Sequence, residues 1–304
     1  MDLYLPIANL SVNALVIVAL GLGVGLLSGM FGVGGGFLTT PLPIFYGIPP
    51  TVAAASAASQ VTGASVSGVF AHFRRKGVDV QMGAVLVTGG ILGSLLGGWL
   101  FKLLQASGQI DVVIGVLYVV LLGSIGGLMG KESVGAIRVS RGARPPRARK
   151  RRHHPLVASL PFRWRFYASG LYISPLAPLL LGVFTGVLTM LLGVGGGFIL
   201  VPAMLYILGM GTQTVVGTSL FQTLFTTAVA TMVHATTTKA VDIVLAILLL
   251  LGSVVGAQLG ARFAAKAKPE YLRLLLAVIV LLVAARMLAG LAWRPDEIYS
   301  VAAA

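Results

Sequence analysis

The chain has 304 residues, 57% of them hydrophobic and only 10% charged, with a mean hydropathy of +0.97. A soluble domain carries about 25% charged residues, and no single core at this length could hide so much apolar surface from water, so a soluble class is excluded and the bilayer is the expected solvent. The net charge of +14 would elsewhere suggest nucleic acid, but eleven of the 22 Lys and Arg lie between Lys131 and Arg165, outside the apolar segments; the positive-inside rule expects that of a cytoplasmic loop, so membrane lipid and no nucleic acid is the expected surrounding.

The first apolar segment runs from Ala14 to Tyr46 and is long and interrupted. The N-terminus has no basic region and its apolar run passes any plausible cleavage site, so it reads as a membrane helix and not as a removable signal. Three further segments follow at Thr51–Phe73, Met82–Leu104 and Val112–Gly130. About 20 mainly apolar residues cross a bilayer core, so residues 1–130 read as a four-helix membrane repeat. Residues 131–168 are rich in Arg, Pro and Gly and read as a solvated basic cytoplasmic linker. Trp164, Phe166 and Tyr167 at its end suit the membrane interface. Residues 169–304 then repeat the pattern, with segments at Leu171–Leu208 (again interrupted), Thr212–Ala235, Val241–Ala264 and Tyr271–Ala292. The expected fold is all-α and polytopic, with about eight transmembrane helices in two repeated halves.

The halves match residue by residue. Gly32–Leu38 reads GVGGGFL and Gly193–Ile199 reads GVGGGFI, each followed by a proline at the same spacing, Pro41 and Pro202. Gln60 corresponds to Gln222, His72 to His234, Val78-Asp79 to Val241-Asp242, and Gly89, Gly93 and Gly97 to Gly252, Gly256 and Gly260. Internal duplication of this kind is characteristic of transporter folds. If each long segment crosses once with a break, there are eight spans, parallel repeats, and 17 basic residues inside against 5 outside. If each is a hairpin, there are ten spans, inverted repeats, and a count of 18 to 4. The charge rule does not choose between them. The eight-span arrangement is preferred here because Phe37 to Gly47 is too short to cross alone.

Consecutive glycines cost about 1 kcal/mol each in a helix, and a nearby proline removes a backbone donor, so each GVGGG run should break its helix at membrane depth. Such a break exposes free N–H groups and the positive end of a helix dipole, which suit an anion. Gly34, Gly35, Gly36, Gly195, Gly196 and Gly197 are therefore candidate backbone donors. The alternative is that they only permit a kink or close packing. Ser56, Ser59, Gln60, Gly63 and Ser67 recur at helical spacing on the second segment, as Thr218, Ser219, Gln222, Thr223, Thr226 and Thr227 do on the sixth. In lipid such residues must face protein or water. Ser56, Gln60, Thr218, Ser219 and Gln222 are candidate side-chain contacts, interhelical hydrogen bonding being the alternative. His72 and His234 lie near helix ends and read as interfacial. Asp79 and Asp242 read as acids at helix N-termini, and the glycine ridges as packing surfaces.

No acidic residue falls mid-span, which fits an anion and disfavours a cation or a carboxylate proton relay. With no cysteine, disulfides and thiolate sites are excluded, and neither a metal nor a cofactor motif appears. There is no HExxH, nucleophile elbow or acid cluster, so no enzyme is expected.

The twice-occurring GVGGGF…P motif, Gly217-Thr218-Ser219 and the VD step before a glycine-spaced helix resemble the sulfite exporter TauE/SafE family. The resemblance covers everything but the central linker. The first half departs from it in having Ala55-Ser56-Ala57 at the GTS position. The resemblance implies an inner-membrane permease for sulfite, sulfonates or related organosulfur anions, exporting or importing. The expected function is thus a secondary anion transporter with its substrate near the midplane and one half rocking against the other. A passive anion channel and a membrane scaffold are the alternatives.

Overall fold

The computed structural model describes residues 2–31, 36–140, 163–264 and 269–292. Each half opens with a short antiparallel hairpin, β1–β2 (Asp2–Leu5, Leu10–Asn13) or β3–β4 (Trp164–Phe166, Leu171–Ile173). The first half continues through α1 (Ala14–Phe31), α2 (Gly36–Thr39), α3 (Pro41–Phe45), α4 (Pro50–Arg74), α5 (Val80–Ala106) and α6 (Ile110–Ser140). The second has α7 (Leu176–Leu192), α8 (Gly197–Tyr206), α9 (Thr212–Val233, extended by a π-turn at His234–Thr238), α10 (Ile243–Ala264) and α11 (Pro269–Ala292).

Local chemistry sets these boundaries. Pro50 opens α4, where its missing N–H costs nothing. The Asp79 carboxylate accepts from the Met82 N–H at 3.0 Å and starts α5; Asp242 does the same for Leu245 at 3.1 Å and starts α10. Gly193, at φ +70°, ends α7 with its N–H on the Thr189 carbonyl. Among the described residues five helices are long and apolar enough to cross a membrane, in α5, α6, α9, α10 and α11. The 25-residue α4 has the length as well, but its Ser, Thr and Gln stripe lowers its hydropathy.

The interrupted segments fold back, contrary to the single broken crossing preferred from the sequence. Ile17 and Leu20 near the start of α1 share an apolar cluster with Ile44, Ile48, Val52 and Ala53, at the end of α3 and start of α4. The limb Gly36–Phe45 therefore leads back to the face from which α1 starts. The return limb of ten residues is about 15 Å long, so it reaches only mid-depth; the expectation that it is too short to cross holds, but it re-enters instead of completing a span. In the second half Leu200, Met204 and Leu208 of the return limb meet Phe166, Leu171 and Ile173 at its entrance.

The repeats are inverted. The matching helices α4 and α9 run antiparallel, with Ser59 beside Thr231, Thr62 beside Thr227, and Gly68 beside Leu220. The pair α6 and α11 does the same, Gly115 meeting Leu291 and Gly130 meeting Ala277. The glycine ridges pack as expected, but across the halves. A Cβ on Gly25 of α1 would lie 2.1 Å from the Ser253 carbonyl oxygen of α10, and one on Gly93 of α5 would lie 2.1 Å from the Val183 oxygen of α7. Small residues let backbones approach this closely, so α1 is locked to α10 and α5 to α7. A rigid half rocking against the other half would have to part both ridges.

Each of these two capping Asp residues is also a clasp, Asp242 reaching across to the first half and Asp79 to the second. Asp242 accepts from the Ile7 N–H of the β1–β2 turn at 3.1 Å, and Asp79 from the Ser169 hydroxyl of the β3–β4 turn. Phe166 of β3 is buried, whereas Trp164 and Tyr167 are exposed as interfacial rings would be.

Candidate functional site

Gly36, which opens the first return limb, abuts the interruption of the second half at Val194. A Cβ on Gly36 would strike the Val194 carbonyl oxygen at 2.1 Å, and one on Gly193 the Ala54 oxygen at 2.2 Å. The repeat-related rings Phe37 and Phe198 stack with centroids 4.5 Å apart. The Leu192 carbonyl, freed where α7 ends, accepts from Thr40 Oγ1 at 2.9 Å and from Tyr118 Oη at 2.5 Å. The Gly195 carbonyl accepts from Thr223 Oγ1 at 2.6 Å. Backbone groups released by the break are thus taken up by neighbouring side chains, as burial in an apolar medium requires.

Gly195 and Gly196 adopt φ +74° and +76°, a left-handed conformation that favours glycine. Gly196 caps α8, and the Leu200 N–H donates to its carbonyl at 2.7 Å. The amides of Gly197 and the next residue lie in the first turn of α8, where helix geometry provides no acceptor within the helix. Gly34 and Gly35 lie outside the described residues.

The glutamine pair flanks this junction symmetrically. Gln60 Nε2 donates to Ser253 Oγ at 2.7 Å, and its Oε1 accepts from Thr39 Oγ1 at 3.3 Å. Gln222 Nε2 donates to Thr226 Oγ1 at 2.8 Å, while its Oε1 is buried without a partner among the described residues. Both glutamines are buried. Ser56 and Thr218 have another task. The Asp242 N–H donates to Ser56 Oγ at 3.0 Å and the Asp79 N–H to Thr218 Oγ1 at 2.9 Å. These hydroxyls tie the second helix of one half to the third helix of the other. Ser219 donates to the Val216 carbonyl one turn back at 2.9 Å.

A cavity of about 190 Å³ descends to Gln60 and Ser253 from the face where α4 ends in Arg74 and Arg75. Its walls include Ser28, Ser65, Ser67 and His72, with Gly25 at the floor. Among the described residues no acidic side chain lines it. Of the predicted site residues that are described, only Gln60 reaches it; Gly36, Gly195, Gly196, Gly197 and Gln222 lie in the packed junction alongside. Sequence reasoning passed over Ser28 and Ser253. Ser253 interrupts a glycine ridge whose counterpart carries Gly90, and that asymmetry was the available signal.

The cavity's repeat-related counterpart is sealed. The positions matching Gly25, Ser28, Gln60, Ala64, Ser65, Gly68 and His72 are Gly186, Thr189, Gln222, Thr226, Thr227, Ala230 and His234, and all seven are buried. Ala58, Met190 and Ala230 close over them, and His234 Nε2 lies 2.9 Å from the Met190 carbonyl. His234 is therefore a packed residue edge-on to Phe101, not an interfacial one, while His72 stands at the mouth of the open cavity.

Residues 17–287 match the family described as Sulfite exporter TauE/SafE. Two curated proteins of Bacillus subtilis (strain 168) are similar to the chain. One, the probable membrane transporter protein YjnA, is 27% identical over 267 residues, covering 87% of this chain and 96% of its own length. The other, the probable membrane transporter protein YunE, is 27% identical over 221 residues, covering 68% and 72%. No solved structure matches.

Proposed function

This chain belongs to the sulfite exporter TauE/SafE family and is a multi-pass membrane transporter, not an enzyme; from that premise we propose that it is a secondary transporter of small sulfur oxyanions, sulfite or a sulfonate, working by alternating access. The observation that carries the reading is the cavity ending on Gln60 and Ser253. It offers amide and hydroxyl donors and, among the described residues, no carboxylate, and its mouth lies on the face of Arg74, Arg75 and Lys76. By the positive-inside rule that face is cytoplasmic, and its charge raises the local concentration of an anion.

Neutral donors hold an anion without binding it so tightly that it cannot leave. The floor adjoins the packed junction, where the first turn of α8 adds the positive end of its dipole. The sealed counterpart around Gln222 corresponds to the second access route of an inverted-repeat transporter. Because glycine ridges lock α1 to α10 and α5 to α7, these swapped pairs are the units that move, sliding along the hydroxyl-lined α4–α9 contact. A channel reading is less well supported, since packed residues stand between the cavity floor and the opposite face.

Ligand-dependent thermal stabilisation of the purified protein tests the assignment. Sulfite or simple sulfonates are expected to raise the melting temperature in a saturable way, and acetate or alkali cations are not. A preference for carboxylates or cations would overturn it.

A further inference from the structure

A second cleft, of about 280 Å³, lies on the face opposite the basic one. Its walls come from the return limb of the first hairpin (Ile44, Phe45), the start of α6 (Asp111, Gly115) and the end of α11 (Arg286, Leu291). It shares no residue with the cavity at Gln60.

Arg286 is the observation that needs an explanation. It sits inside a membrane-spanning stretch, Leu274–Ala292, where an unpaired guanidinium is expensive. Its side chain rests over the Phe45 ring at 5.5 Å, and among the described residues it has no ion-pair partner. Asp111, on the opposite wall, has none either among the described residues.

The two charges stand at different depths. Gly115 meets Leu291, which fixes the relative height of α6 and α11. Asp111 lies one turn from Gly115 toward the membrane face, and Arg286 more than one turn from Leu291 toward the midplane. A guanidinium that must snorkel outward therefore ends beneath a carboxylate at the surface. A cleft with a cation below, an anion above and apolar walls is complementary to a headgroup whose phosphate lies deeper than its ammonium.

We propose that this cleft binds the headgroup of an aminophospholipid, with its phosphate on Arg286 and its ammonium on Asp111. The guanidinium fork suits a phosphate, and the carboxylate disfavours a purely anionic lipid. Ile44, Leu291 and the Phe45 ring border the path of the acyl chains. A bound lipid here would brace the return limb against α11. The proposal does not depend on the identity of the transported anion.

Native mass spectrometry of the full chain in detergent, titrated with phosphatidylethanolamine or phosphatidylglycerol, tests it. Phosphatidylethanolamine is expected to bind about fivefold more tightly, the equivalent of roughly 1 kcal/mol for one interfacial charge contact. Arg286→Gln should lose retention of both lipids. Asp111→Asn should keep retention but erase the preference, which separates a recognition defect from a folding defect. Three results would each overturn the proposal: a preference for phosphatidylglycerol in the unmodified chain, unchanged retention in Arg286→Gln, and soluble phosphoethanolamine competing as well as the lipid, which would assign the cleft to a free zwitterion.

Discussion

The surroundings of Gln60 and of Gln222 are built from matching sequence and end in opposite states. Around Gln60 the wall of α4 is open as far as Ser67 and His72. Around Gln222 the same positions on α9 are packed beneath Met190 and Ala230, and His234 has both ring nitrogens within hydrogen-bonding distance of protein oxygens. Nothing in the local sequence demands this difference; Thr226 and Thr227 are, if anything, more polar than Ala64 and Ser65. Two copies of one motif, inverted in the membrane, can occupy the two halves of a transport cycle at once. Exchanging their conformations would close one face and open the other.

The largest effect should come from breaking what the two surroundings share, the backbone-close ridges. Gly25→Ala puts a methyl group where the Ser253 backbone already stands. Overpacking against backbone should cost about 3 kcal/mol and appear as a large fall in melting temperature or loss of folded protein. Gly23 on the same helix has nothing within 4 Å of its Cβ position. There alanine should be neutral or stabilising, by up to about 1 kcal/mol. If Gly25→Ala melted like Gly23→Ala, the swapped pairs would not be rigid units.

Most of this scaffold is legible in the sequence. The apolar segments, the break at Gly193–Gly196 and the N-terminal role of Asp79 and Asp242 all follow from hydropathy, repetition and capping chemistry. The direction taken after each break does not. A glycine run permits a kink and a reversal equally, and the choice is made by distant packing, as when Ile48 and Val52 settle beside Ile17. The same limit applies to the candidate donors. Ser56 and Thr218 are polar residues on an apolar helix and look like ligand contacts. Only the tertiary fold reveals that each hydroxyl answers a buried Asp N–H in the other half. Gln60 could be picked out because it is paired in the repeat; that its amide would meet Ser253 across a half boundary could not.

The absence of cysteine in the natural chain gives the open-versus-sealed comparison a direct test. Ala64→Cys and Thr226→Cys occupy matching positions, one lining the cavity and one buried. In membranes exposed to a charged thiol reagent from the basic face, Ala64→Cys should react about 100-fold faster, a ratio corresponding to roughly 2.7 kcal/mol for opening the sealed side. Saturating substrate should narrow that ratio if both states are visited during turnover. Equal rates from the same face would show the asymmetry to be only apparent.

A smaller effect separates the glutamines by function. Gln60→Ala removes an amide donor from the cavity floor, and the loss of one hydrogen bond to a charged ligand should weaken binding from the basic face about tenfold. Gln222→Ala changes a residue that the ligand does not reach from that face, so binding there should stay within about twofold of the unmodified protein. Transport is another matter, because the proposed cycle passes through a state in which Gln222 faces an open cavity. Gln222→Ala should therefore keep its thermal stabilisation by ligand yet slow net flux in proteoliposomes, whereas Gln60→Ala should lose both together. If instead the two variants weakened binding equally, the junction would be one shared pocket reached from a single side. The inverted pair would then be an architectural symmetry without an alternating one.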